Sequence, residues 1–280
     1  MKRLILNNEY FNIEHTLKCG QIFRFQPYGK GYIVIATDKA CYAYHEGDFA
    51  VIECEDGQED YFTRFFDLRA DYALANDRAK RSGYLILEKS AEYGKGIRIL
   101  RQDYTEALFS FVISQNNNIP RIKGIIERLC SALGEKFIFN DQTFSAFPSC
   151  DKMAEQSIEF YKSIGLGYRA EYILELAKQI VNGLNVAQLN DLPTPVLKKA
   201  LTAIRGVGSK VADCAVLFGF HRGDSFPVDT WIEKVYAQDF CGELKDRAKI
   251  ADWFVSKFGL DSGLFQQYLF HYKRMVEKSR

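Results

Sequence analysis

The chain has 280 residues, 47% of them hydrophobic and 26% charged, a make-up that excludes a disordered or fibrous protein and leaves room for a large core and two domains. The net charge of +1 argues neither for nor against a polyanionic partner. Distribution says more: between residues 46 and 77 ten acids face only Arg64 and Arg69, so basic groups must predominate elsewhere, as on a protein with a basic binding face and an acidic back.

At the N-terminus, MKRLILNNEYF breaks its apolar run at Asn7. That is too short for a signal peptide, and no later run is predicted to span a bilayer, so an intracellular, cytoplasmic protein is expected. Residues 21–25, 32–36, 41–44 and 49–54 are short strand-like runs punctuated by Gly, Pro and Asp, which predicts an antiparallel sheet. Residues 58–76 read as a single helix with Tyr61, Phe62, Phe65 and Phe66 on one face. From about Gly96 the period turns helical and is expected to stay so. A helix over 104–113 halts at Ser114-Gln115-Asn116-Asn117-Asn118, and Pro120 suits the first turn of the next, which runs to about 133. Further helices are predicted over 151–160, 168–182, 248–257 and 263–277. Seven cysteines without a C-x-x-C pair and four scattered histidines give reduced thiols, no metal centre and no cofactor.

The stretch Leu201–Asp213 holds the most chemistry. Leu201, Ala203 and Ile204 fit the apolar face of a helix that ends in Gly206-Val207-Gly208, and Ser209-Lys210-Val211-Ala212 open another that runs to about 219. Two glycines let the backbone turn and present bare N–H groups at a helix start, a phosphate-binding arrangement. Lys210 is an amine at the positive end of a helix, where the ammonium form is disfavoured, as an amine nucleophile requires. Nineteen residues on, Asp229 follows Pro227-Val228 at a helix start. It reads as an N-cap or as a carboxylate facing Lys210, and the two are compatible because a capped carboxylate is a fixed one.

Gly206-Val207-Gly208-Ser209-Lys210-Val211-Ala212-Asp213-Cys214 followed by Pro227-Val228-Asp229 resembles the helix–hairpin–helix, Gly/Pro…Asp core of the 8-oxoguanine DNA glycosylase/AP lyase family. Three further stretches match that family in order: Cys19-Gly20-Gln21-Ile22-Phe23-Arg24, Asn116-Asn117-Asn118-Ile119-Pro120-Arg121 and Gly165-Leu166-Gly167-Tyr168-Arg169-Ala170. The likeness covers nearly the whole chain. It implies an α+β fold, with a TATA-binding-protein-like antiparallel sheet domain over residues 1–96 and an all-α helix–hairpin–helix domain over 97–280. It also implies a cofactor-free monomer acting on double-stranded DNA that contains oxidised guanine.

By the same resemblance Lys210 attacks the sugar and Asp229 stabilises the cation. Gly20, Cys214, Gln266 and Phe270 hold the flipped base, with Gln267 as the alternative to Gln266 one residue away. Asn116, Arg121 and Arg169 read the orphan cytosine, and Tyr168 is the wedge. Tyr168 and Arg169, following two glycines, are expected on an exposed turn, and Gly206 and Gly208 against phosphate. One departure is Trp231, which stands where some relatives carry a phosphate-contacting His. A monofunctional alkylated-base glycosylase and a non-enzymatic hairpin module are the competing expectations, and neither needs Lys210.

Overall fold

The computed structural model describes residues 1–276. An antiparallel five-stranded sheet comes first: β1 (Lys2–Asn7), β2 (Phe25–Tyr28), β3 (Gly31–Ala36), β4 (Lys39–Glu46) and β5 (Phe49–Cys54), in the order β1-β5-β4-β3-β2. The register Val34↔Cys41 and Ala43↔Ile52 puts alternate residues on one face. Val34, Ala36, Cys41, Ala43, Ala50 and Ile52 are buried there against α1 (Ile13–Lys18) and α2 (Glu59–Phe65). On the other face Ile33, Ile35 and Ala40 meet Phe139 and Phe144 of a hairpin made by β6 (Lys136–Phe139) and β7 (Gln142–Ser145).

The helical part comprises α3 (Ala73–Lys80), α4 (Leu85–Tyr93), α5 (Tyr104–Ser114), α6 (Ile119–Leu133), α7 (Cys150–Ala154), α8 (Ile158–Ser163) and α9 (Arg169–Val181), followed by α10 (Thr194–Thr202), α11 (Ser209–Phe218), α12 (Thr230–Asp239), α13 (Arg247–Phe258) and α14 (Ser262–Val276). Helices α5 and α11 pack together at its centre. Residues 106–113 and 211–218 are all buried, the pattern of helices surrounded by core. Tyr72, Ala75, Ala79, Leu87 and Ala91 join this same large core, and α4 packs on α14. Among the described residues no helix is long and apolar enough to cross a membrane.

Several sequence expectations are corrected. Residues 21–24 are not strand, because the Gln21 amide splices the chain elsewhere: it donates to Thr16 O (2.9 Å) and Arg98 O (2.7 Å) and accepts from Leu100 N (2.8 Å). The single helix over 58–76 breaks at Asp67, which has φ +52° and whose carboxylate accepts from Arg101 Nε (2.8 Å) and Tyr72 Oη (2.9 Å). The helical half is interrupted by the β6–β7 hairpin, and 151–160 is two short helices, α7 and α8, each capped by its own serine, Ser149 and Ser157. The last helix ends its described part at Val276, so Glu277 lies outside the described residues.

A buried ion pair joins sheet to helices. Arg24 donates to Glu106 Oε1 (3.2 Å), to Thr37 O (3.0 Å) and to the Ser145 carbonyl. Glu106 Oε2 accepts from Thr37 N (2.8 Å). One guanidinium thus ties the β3–β4 turn, α5 and β7 together. Arg24→Met leaves the Glu106 carboxylate buried without its counter-charge and is expected to cost about 3–5 kcal/mol, read from urea unfolding. Asp67 gives a pH signature. Burial raises its carboxyl, but His221 and Arg101 outweigh that and hold it at about 2. An unfolded Asp titrates near ~3.9, so this stabilisation is fully present above that value and is lost as pH falls through about 2. Asp67→Asn should flatten the acid limb of Tm against pH over this window.

Candidate active site

The hairpin between α10 and α11 is built on Leu197, Leu201, Ile204 and Val207, all buried. Ala203, expected on the same face, is exposed. A brace holds the two helices: Lys198 Nζ lies 2.6 Å from the buried Asp213 carboxylate, which also accepts from Ser225 Oγ at 2.9 Å. Gly206 has φ +85°, and a Cβ there would sit 2.4 Å from Tyr172 Cγ, so both conformation and space demand glycine. Gly208 differs: it meets nothing within 4 Å and has ordinary extended backbone. No side chain caps α11, so the first amides of that helix stay open to an anion.

Helix α12 begins the opposite way. Asp229 Oδ1 accepts from Trp231 N (3.0 Å) and Ile232 N (2.9 Å), an N-cap that locks the carboxylate in place. Lys210 and Asp229 line one open cavity of about 430 Å³, together with Gly208, Trp231, Asn116 and Arg247. The Lys210 ammonium lies 5.6 Å from the Phe111 ring and beside the Cys214 thiol, which burial pushes up to about 11 against the lysine's opposing charge. Two helix N-termini therefore meet in one groove. One is capped by a carboxylate; the other is uncapped and carries an amine.

At the mouth, the loop after α5 and the turn before α9 touch. Asn116, at φ +44°, donates from Nδ2 to Tyr168 Oη (3.2 Å), and Arg121 donates to Gly165 O (3.3 Å). Tyr168 is 52% exposed, as expected, but Arg169 is 3% exposed, which corrects the expectation of an exposed side chain. Its guanidinium donates to the carbonyls of Gln115, Asn116 (3.0 Å) and Leu166 (3.2 Å), because a loop that leaves its helix with unpaired carbonyls needs a donor. Gln115, which sequence reasoning passed over, links this loop to the hairpin through Nε2 and Gly206 O (2.8 Å). Its only sequence signal was its place beside the Asn run.

Gly20, with φ +89°, faces α14: a Cβ on it would lie 3.1 Å from Phe270 Cε1 and 3.8 Å from Ile119 Cδ1. Phe270 thus closes directly over Gly20. Gln266 is buried and donates to Pro227 O (3.1 Å), while Gln267 Nε2 donates to Gln266 Oε1 (2.6 Å). Gln266 thus holds the turn that precedes Asp229, and Gln267 holds Gln266. Cys214 is 3% exposed and belongs to the helical core. Among the described residues no cluster of His, Cys, Asp and Glu could hold a metal ion.

Sheet, hairpin and paired helix starts define a helix–hairpin–helix protein of the base-excision DNA repair class. Residues 109–252 match the model of the HhH-GPD superfamily base excision DNA repair protein, and residues 3–108 that of the 8-oxoguanine DNA glycosylase N-terminal domain. The chain is 36% identical to a Clostridium acetobutylicum 8-oxoguanine glycosylase/lyase solved with double-stranded DNA containing cytosine opposite to 8-oxoG; that likeness covers 97% of this chain and 94% of the other, with a TM-score of 0.91. An N-glycosylase/DNA lyase of Saccharomyces cerevisiae is 34% identical over 52% of this chain and 42% of its own length. The N-glycosylase/DNA lyase OGG1 of Arabidopsis thaliana is 35% identical over 64% of this chain and 53% of its own, so the matched part spans about half of these two curated relatives. The chain belongs to the 8-oxoguanine DNA glycosylase family.

The two hairpin glycines should respond differently to a methyl group. Gly206→Ala meets both a left-handed φ and the Tyr172 ring and should cost on the order of 1–3 kcal/mol. Gly208→Ala should leave thermal stability unchanged. Calorimetry on both variants checks the contrast.

Proposed function

We propose that this chain excises 8-oxoguanine from duplex DNA, opposite cytosine, as a bifunctional glycosylase and AP lyase. The observation that carries the reading is the shared cavity: an amine and a capped carboxylate open into one groove beside bare helix amides that suit a phosphate. The sheet with α1 and α2, and the helical part, act as two units with the lesion cleft between them. The helical core takes in Tyr72, Ala75, Ala79, Leu87 and Ala91, so the division falls before residue 72 and not at 96. The Gly206 and Gly208 hairpin grips the backbone phosphates. Tyr168 wedges the duplex open, and Asn116 and Arg121 meet the orphan cytosine, whose acceptor edge suits an amide and a guanidinium fork, while the buried Arg169 holds the loop that carries Asn116.

The extruded base enters between Gly20 and Phe270 once the ring has turned aside, with Cys214 as the far wall and Gln266 on the pairing edge. The Gly20 carbonyl accepts the N7–H that oxidised guanine has and guanine lacks, and that proton is the chemical difference to be sensed. The Lys210 lone pair then attacks C1′ while the bond to N9 breaks, and Asp229 stabilises the positive charge that develops on the sugar. The base leaves with the bonding pair and takes up a proton. The nitrogen gives up a proton, and its lone pair then forms the C1′=N bond as the C1′–O4′ bond breaks and O4′ takes up a proton, giving a protonated Schiff base. Removal of a C2′ proton then expels the 3′ phosphate by β-elimination. A monofunctional glycosylase or a non-enzymatic hairpin module leaves the lysine in this cavity without a role.

Borohydride trapping on a duplex with a single 8-oxoguanine, opposite each of the four bases, tests the reading. The native chain should form a covalent adduct, strongest opposite cytosine, and Lys210→Gln should form none; an adduct that persists in Lys210→Gln overturns the assignment. Asp229→Asn should bind the same duplex yet excise on the order of a hundredfold more slowly. Undiminished turnover removes Asp229 from the mechanism.

A further inference from the structure

We propose that Arg274 is a specificity-determining residue of the base slot, donating to one of the carbonyl oxygens that flank N7 of the inserted base. The inference rests on the base-excision reading above. Arg274 and Phe270 stand one turn apart on α14 and so share a face. Arg274 Nη1 lies 3.6 Å from where a Cβ on Gly20 would be, and its guanidinium is 5.8 Å from the Phe270 ring centre. This nitrogen is buried and has no hydrogen-bond partner among the described residues.

What surrounds it does not answer its N–H groups. Cys19 is a buried thiol that donates to Thr16 O (3.2 Å) and already accepts from Gln21 Nε2 (3.2 Å). His15 and His271 pack against each other at 4.8 Å, and both nitrogens of His271 are also buried without a partner. The Glu14 carboxylate is taken up in an ion pair with Lys18. A buried donor left unmet is unfavourable, so the complementary ligand is flat, to replace the Phe270 ring, and carries an acceptor on the Gly20 side. Oxidised guanine fits both demands. Its N7–H, facing the Gly20 carbonyl, lies between O6 and O8, and a guanidinium beside Gly20 reaches one of them.

The test compares the native chain with Arg274→Leu and Arg274→Lys in two assays: single-turnover excision of 8-oxoguanine opposite cytosine, and borohydride trapping on a duplex with a preformed abasic site, which needs no base recognition. A charged hydrogen bond implies on the order of 10- to 100-fold slower excision in Arg274→Leu, with abasic-site trapping unchanged and partial recovery in Arg274→Lys. Native-rate excision by Arg274→Leu overturns the inference. So does equal loss in both assays, or loss in Arg274→Lys as deep as in Arg274→Leu, since either places the side chain in the stability of α14. A native chain that neither excises nor traps fails the underlying reading instead, so the two failures are separable.

Discussion

The site depends on a difference between two helix starts. Every helix opens with backbone N–H groups that have no partner inside it. At α12 the Asp229 carboxylate fills that role and is fixed by it. At α11 no side chain does, so the same unmet groups remain open toward the groove. The chain thus obtains a positioned negative charge and an anion-receptive surface from one physical rule applied in opposite senses. Lys210 stands between them because it is the second residue of the uncapped helix.

That arrangement needs a rigid frame, and the frame is polar as much as apolar. Lys198 and Asp213 hold α10 against α11 inside the helical part. Arg24 and Glu106 hold the sheet against α5, while Gln21 stitches the end of α1 to residues 98–100. Each is a buried group whose removal would strand its partner, so each fixes geometry more strictly than an apolar contact of the same size. The Cys19–Arg24 stretch shows the economy of this. Cys19, Gln21 and Arg24 are committed to structural bonds, and a Cβ on Gly20 would face Phe270 and Arg274 of α14.

Helix α14 connects frame and slot. Gln266 supports the turn before Asp229, Phe270 closes over Gly20, and Arg274 lies behind it with a donor unmet. Under the proposed function a base entering this slot must displace an aromatic ring, and gains in return a stacking surface and a charge-assisted hydrogen bond. A pocket that is filled by its own side chain until the right ligand arrives discriminates by what the ligand restores, not by empty volume.

Sheet, hairpin and capped carboxylate were legible in the sequence because each follows from local rules. Alternation over residues 32–54 sets a sheet face, Gly206-Val207-Gly208 before an apolar helix sets a turn, and Asp229 before Thr-Trp sets a cap. The break at Asp67, the non-strand path of Gln21 and the inward turn of Arg169 were not legible, since each is decided by a partner distant in sequence: Arg101 and Tyr72, Arg98 and Leu100, and the carbonyls of Gln115 and Asn116. Likewise the sequence by itself named Lys210 and Asp229, but only the tertiary structure put both on one cavity, and only it set Arg274 against Gly20. Local propensity determines which residues start and stop an element. Buried polar groups, whose bonds must be completed across the fold, determine where those elements end up.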